Sequence, residues 1–294
     1  ATQAFNNQQG QVSAAKALAV SAGSVDNQQG ILSGDTLELT ATTGQLNNRE
    51  GTLLSHANST INVQGLDNAG GSVHSNGVLS IDTNGLLLDN QLGSITSLGS
   101  IDVDSGVFNN NDGLLQSSGQ VRLDTAGQDL YNQGTTNKGI LAGGLLNLNV
   151  GNVDNQQGAI LSGQSAQIAA QSINNGSGNI QAVADLDLNV QADVDNQAGS
   201  ILAGEILNIQ AQTINNSSTQ GSGQGLQGQS INVQAVSLDN QQGSIVADEN
   251  ATLKLTNTLD NRKGKITAAK QLSISGQSGA LASTLNQQGD LIAG

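Results

Sequence analysis

The sequence has no proline, cysteine, methionine or tryptophan, and its only aromatic residues are Phe5, Phe108 and Tyr131. Without cysteine no disulfide framework can form, whatever the redox compartment. Aromatics bury roughly 150–250 Å² each, so with so few of them the core must be narrow and aliphatic. Proline removes a ladder hydrogen bond wherever it falls in a sheet, so its absence favours strand pairing along nearly the whole chain. Basic residues are scarce as well: 9 Lys and Arg stand against 23 Asp and Glu, a net charge of −14. That balance repels phosphate backbones and argues against general nucleic-acid binding. No apolar run approaches the ~18 residues of a membrane-spanning helix. The start, Ala1-Thr2-Gln3, carries neither a basic nor an apolar leader region, so the chain is expected to be a fragment of a longer protein.

What is abundant is glycine, at 38 residues, together with Asn and Gln, while hydrophobic residues make up 36% of the chain. That apolar share is too large and too regularly placed for a disordered polar tract. The regularity is a repeat. Val25-Asp26-Asn27-Gln28-Gln29-Gly30 returns as Val153 to Gly158, Val194 to Gly199 and Leu238 to Gly243, with weaker copies between. The marker asparagines are Asn7, Asn27, Asn48, Asn68, Asn90, Asn110, Asn132, Asn155, Asn175, Asn196, Asn216, Asn240, Asn261 and Asn286, with a mean spacing of about 21 residues, in the range of solenoid repeats.

Each copy carries the same aliphatic grammar. Two residues before the marker stands an apolar residue, from Phe5, Val25 and Leu46 to Leu238 and Leu259, failing only at Thr284. Two residues after the glycine runs a second column: Val12, Leu32, Leu53, Val73, Ile95, Leu115, Leu141, Ile160, Ile180, Ile201, Ile245, Ile266 and Leu291. A spaced pair follows, as in Leu79 and Ile81 or Leu186 and Leu188. Period-two alternation belongs to strands, not helices. Short apolar-in segments separated by Gly, Asn and Ser corners predict an all-β fold: a right-handed parallel β-helix (β-solenoid) of about 14 coils, one repeat domain over 1–294. The hand follows the usual bias of parallel connections. Leucine-rich repeats need a helical segment per repeat, which is absent, and an amyloid-like Asn/Gln stack is the remaining alternative.

The polar residues divide into framework and candidates. Of the markers, Asn7, Asn27, Asn48, Asn68, Asn90, Asn110, Asn155, Asn175, Asn196, Asn240 and Asn261 are expected to stack as an amide ladder at a corner, and the glycine three residues later to supply a positive φ there. Asp102 with Asp104, Asp124, and Asp185 with Asp187 are the carboxylates that a polysaccharide-cleaving β-helix would need. Aligned on the glycines, Asp82, Asp104 and Asp124 form one outward column with Arg122 beside Asp102, which fits a solvated, ion-paired face better, or a calcium-bridged one. His56 and His74 occupy different offsets in neighbouring coils and give no metal site or triad. Catalytic, cofactor-binding and metal residues are therefore expected to be none. Arg262, Lys263, Lys265 and Lys270, with Lys254 one coil earlier, are the one basic concentration and the candidate recognition surface, for a sulfated glycan or an anionic lipid, although a solvated face that offsets Asp239, Asp248, Glu249 and Asp260 fits them better. Polar insertions near 133–138, 217–227 and 275–283 interrupt the rhythm and are expected as surface loops.

Tandem repeats reading aliphatic-Asp-Asn-Gln-Gln-Gly-x-Ile, as in Val153 to Ile168 and Leu238 to Ile245, resemble the filamentous haemagglutinin repeats of two-partner secreted exoproteins. That group includes haemagglutinin adhesins and contact-dependent growth inhibition proteins, and the resemblance spans essentially the whole chain. It implies export through an outer-membrane two-partner transporter and folding at the cell surface. It also implies a shaft that projects a distal adhesin or toxin module, with a cell-surface receptor or glycan as possible partner. No family active site maps onto these residues. Two other functions stay open: an adhesive module working through its loops, and a polysaccharide-active enzyme.

Overall fold

In the computed structural model, residues 3–134, 138–277 and 281–294 are described. Residues 135–137 and 278–280, within two of the expected insertions, lie outside them. The described chain is all strand and turn, without a helix, wound as a parallel β-solenoid of about 14 turns. Its strands fall into two compact units, Ala1–Gly151 and Asn152–Gly294.

In the first unit each coil contributes three strands, and each pairs in parallel with its counterpart in the next coil. After the glycine corner, Ile31–Gly34, Thr52–Ser55, Ser72–Ser75, Ser94–Ser97, Leu114–Ser117 and Gly139–Ala142 stack in register. The second sheet holds Thr36–Ala41, Ser59–Val63, Leu79–Asp82, Ile101–Asp104, Val121–Asp124 and Leu146–Asn149. The third is built of short strands such as Leu66–Asp67 and Leu88–Asp89 that lead into each marker asparagine. The second unit repeats the scheme until Gly225–Asp239 and Ser244–Asp260, where the strands of a coil run on without a break. Their pairing absorbs the corners as register shifts, between Gly228 and Ser230 and between Ala235 and Ser237.

Alternation sets the core. Leu32, Leu53, Val73, Ile95, Leu115 and Ile140 occupy one column and are fully buried. Here the structure corrects one position: Ile140, not Leu141, belongs to it. Gly139 pairs with Leu114 and so stands in the strand, one place beyond the corner position, to which Lys138 corresponds in this coil. Phe108 is also fully buried in the third sheet's column, whereas Tyr131 is exposed. A column of small residues closes the corner between the first two sheets. Ser75, Ser97 and Ser117 turn their hydroxyls onto the carbonyls of Ala57 (2.7 Å), Gly77 (2.5 Å) and Gly99 (2.6 Å) in the preceding coil. Ala182, Ala203, Ala247 and Ala268 take the equivalent buried place in the second unit.

Candidate functional site

The most regular chemistry lies at the asparagine corner. In the first unit Asn7 Nδ2 donates to Asn27 Oδ1, and the chain continues through Asn48, Asn68, Asn90 and Asn110 to Asn132, every link between 2.7 and 2.8 Å. In the second unit it runs from Asn155 through Asn175, Asn196, Asn216, Asn240 and Asn261 to Asn286 at 2.7 to 2.9 Å. All links point the same way, so the amide dipoles add. Most of these amides also reach main-chain carbonyls, as Asn27 does with those of Gly30 (3.2 Å) and Thr52 (3.2 Å). A buried polar side chain is tolerable only with its hydrogen bonds made, and here they are made to the neighbouring coil.

The glycine of the motif has a different task from the one its residue type suggests. Positive φ falls one residue earlier, on Gln29 (55°), Glu50 (53°), Leu92 (58°), Asp112 (50°), Gln157 (56°) and Lys263 (56°). The glycine itself is needed for space. A Cβ on Gly51, Gly71, Gly113 or Gly199 would lie well inside 3.0 Å of the preceding marker's carbonyl and of its own marker's Oδ1. Close backbone approach, not a left-handed turn, selects it.

The model of the haemagglutinin repeat matches this chain in overlapping stretches, residues 1–43, 32–88, 75–134, 132–189 and 165–226. The chain belongs to the haemagglutinin-repeat family. No curated protein and no solved structure matches it. The haemagglutinin repeat continues structurally past residue 226: Leu238, Ile245, Leu259 and Ile266 fill the same buried columns.

Outside the corner runs a second column in which Asp and Asn tend to alternate: Asn6, Asp26, Asn47, Asp67, Asp89 and Asn109. Each side chain receives the backbone N–H two residues on, as Asp67 Oδ1 does from Ala69 (3.1 Å). Where Asn follows Asp the amide bridges the coils, Asn47 to Asp26 at 3.1 Å and Asn109 to Asp89 at 3.0 Å. Two successive aspartates would repel. At Asp67 and Asp89 the guanidinium of Arg49 sits on Asp67 (2.8 Å), and at Asp239 and Asp260 that of Arg262 sits on Asp260 (2.6 Å). The third arginine, Arg122, holds Asp102 (2.7 Å), Asp104 (2.8 Å) and Asp124 (3.4 Å) on the second sheet. The sequence's Lys and Arg total 9, and each arginine among them is paired with at least one aspartate of a stacked column. The hydrogen bond from Asn149, and Arg122's charge, hold Asp124 below the usual carboxylate range, and Arg262 does the same for Asp260.

The enzyme-like carboxylates are thus partly spent. Asp102 and Asp104 share Arg122, and Asp187 accepts from Asn208 Nδ2 (2.7 Å). Asp185 Oδ1 accepts the Ile206 N–H (3.1 Å). His74 bonds Thr96 Oγ1 (2.8 Å) and Asn76 Oδ1 (2.9 Å), and His56 Nδ1 meets the Gly34 carbonyl (3.2 Å). Among the described residues no three His, Cys, Asp or Glu side chains converge as a metal site would require.

The structure divides the basic tract. Arg262 and Lys270 are neutralised by Asp260 and by Glu249 (2.6 Å). Lys263 and Lys265 instead line a cavity of about 540 Å³ with Gln220, Ser244, Gly264, Gln288 and Asp290. Gln220 comes from the insertion expected over 217–227. Ser217 and Ser218 keep the ordinary corner, Gly225 pairs with Ser200, and the surplus is Gln220 to Gln224. Thr219 takes the place of the corner glycine, and its Oγ1 accepts the Ser244 N–H (2.9 Å). A second groove, of about 470 Å³, crosses the second sheet, lined in part by Asp187, Asn208, Gln210, Asn232, Gln234 and Lys254. Neither cavity was legible in the sequence, because both depend on which outward side chains stack.

Proposed function

We propose that this haemagglutinin-repeat region is the structural shaft of a secreted bacterial surface filament, carrying a distal adhesin or toxin module toward target cells. The supporting observation is the ladder geometry. In both units every coil is tied to the next by three parallel strand pairings and an internal amide link, so each coil both caps and templates its neighbour. Such a repeat adds length without adding chemistry. Its hydrogen-bonded asparagine ladder and aliphatic columns suit a load-bearing role, and the partly spent carboxylates suit a protein without catalysis. Family membership supports export through an outer-membrane two-partner transporter and residence at the cell surface. The test is to place the chain between a surface anchor and an epitope on a Gram-negative cell and measure the epitope's height. Height should rise when in-register coils are duplicated. A height indifferent to coil number rejects the shaft.

A further inference from the structure

We propose that the cavity between the Gln220 loop and Lys263 and Lys265 is a binding site for a carboxylated sugar unit of an acidic polysaccharide. The inference goes beyond the shaft and does not depend on it. Two sequence irregularities far apart in the chain meet here, since Gln220 Nε2 donates to the Lys263 carbonyl at 2.6 Å across 43 residues. The loop is pinned at its other end as well. Gln224 Nε2 donates to the Ala198 carbonyl (2.9 Å), and its Oε1 accepts the Gly221 N–H (3.2 Å). The insertion is therefore a fixed wall folded along the corner, and fixed walls bind at lower entropic cost than loose ones.

The lining decides the ligand. Lys263 and Lys265 make no ion pair among the described residues, whereas Arg262 and Lys270 beside them do. On a chain of net charge −14, two ammonium groups against the single carboxylate of Asp290 leave this cavity's lining net positive and mark a place for an anion. Asp290 lies across the ladder from Lys265 and also lines the cavity. Its carboxylate would oppose a phosphate dianion but can accept a hydroxyl proton. The amides of Gln220 and Gln288 and the Ser244 hydroxyl offer further donors and acceptors. A single carboxylate on a hydroxyl-rich ring offers the lining one negative charge and several hydroxyls together; a phosphatidylglycerol headgroup, a monoanion with two hydroxyls, is the competitor that the vesicles test.

The test titrates the full chain at low ionic strength with a galacturonate tetramer, its neutral methyl ester, and vesicles of phosphatidylglycerol in phosphatidylcholine, reading affinity by calorimetry. Saturable binding of the acid but not the ester is expected, weakening as salt is raised. Lys263→Gln and Lys265→Gln should each weaken it about tenfold, in line with loss of a charge-assisted hydrogen bond. Lys16→Gln, far along the chain, should leave it unchanged. Circular dichroism should show all three variants folded, since these lysines are exposed. Equal binding of acid and ester, binding indifferent to Lys263 and Lys265, or a preference for the vesicles would each overturn the proposal.

Discussion

At the corner, two adjacent positions meet different constraints: one takes the left-handed backbone and the next has no room for a side chain. Leu92 is held at φ 58° with its side chain 63% exposed, and Gly113 in the next coil has no room for a methyl group. Leu92→Asn should therefore raise stability by about 0.5–1 kcal/mol, because Asn tolerates the left-handed region and no buried area is lost. Gly113→Ala should lower it by about 2–4 kcal/mol by forcing Asn90's carbonyl away. Thermal melts of the two variants check the opposite signs, and a destabilised Leu92→Asn would contradict this account of the corner. Ser59 is a second local fault: it stands in the column of Leu37 and Leu79, buried, and its Oγ lacks a partner. Ser59→Ala should gain about 1 kcal/mol by removing an unsatisfied hydroxyl. The asparagine was legible in the sequence because one residue type recurs at one spacing. The left-handed residue was not, since Gln, Glu, Leu, Asp, Ala and Lys all occupy it and share no side-chain property.

Along a stacked column, what matters is the neighbour one coil away, about 4.8 Å distant, and not the neighbour in sequence. Alternating Asp with Asn turns repulsion into hydrogen bonding, and an arginine appears where two aspartates adjoin. Arg262→Gln should lower the melting temperature, and salt should restore part of the loss by screening Asp239 from Asp260. A loss unaffected by salt would mean that Arg262 acts through packing alone. The lowered pKa values of Asp124 and Asp260 contribute a stabilisation that depends on acid. Their stabilisation is complete above the unfolded carboxylate value near pH ~4 and fades as pH falls through the lower folded values. The melting temperature should hold steady from neutrality to about pH 4 and drop below it, and Asp124→Asn with Asp260→Asn should flatten that drop. This column pairing was partly visible beforehand: aligning the glycines already set Asp82, Asp104 and Asp124 together with Arg122 beside Asp102. What alignment could not supply was that one guanidinium reaches three carboxylates, because that depends on side-chain rotamers.

For the molecule as a whole, the repeat was legible because every coil solves the same packing problem with the same alternation, so errors in one copy are corrected by the next. Interruptions were harder: the insertion expected over 217–227 shrank to Gln220 to Gln224, since Gly225 onward pairs as strand, and its approach to Lys263 depends on a fold across two coils. The same repetition makes a strong prediction. Ala182 and Ala203, Ile180 and Ile201, and Asn179 and Ser200 are register partners, so Gly178 joined to Ser200 leaves each column continuous. Deleting Asn179 to Gly199 removes one whole coil, and the shortened chain should fold with its far-ultraviolet β signal per residue intact and a melting temperature only slightly lower. Deleting Asn179 to Val190 removes the first two strands of that coil and leaves Asp193–Asp195 behind, too short a segment to close a turn. That variant should lose cooperative melting and bind a hydrophobic dye, because Ile168 and Ile209 on either side would no longer meet Leu188, their stacked partner. If the half-coil deletion melted like the whole-coil one, stability would not reside in the stacking of complete coils.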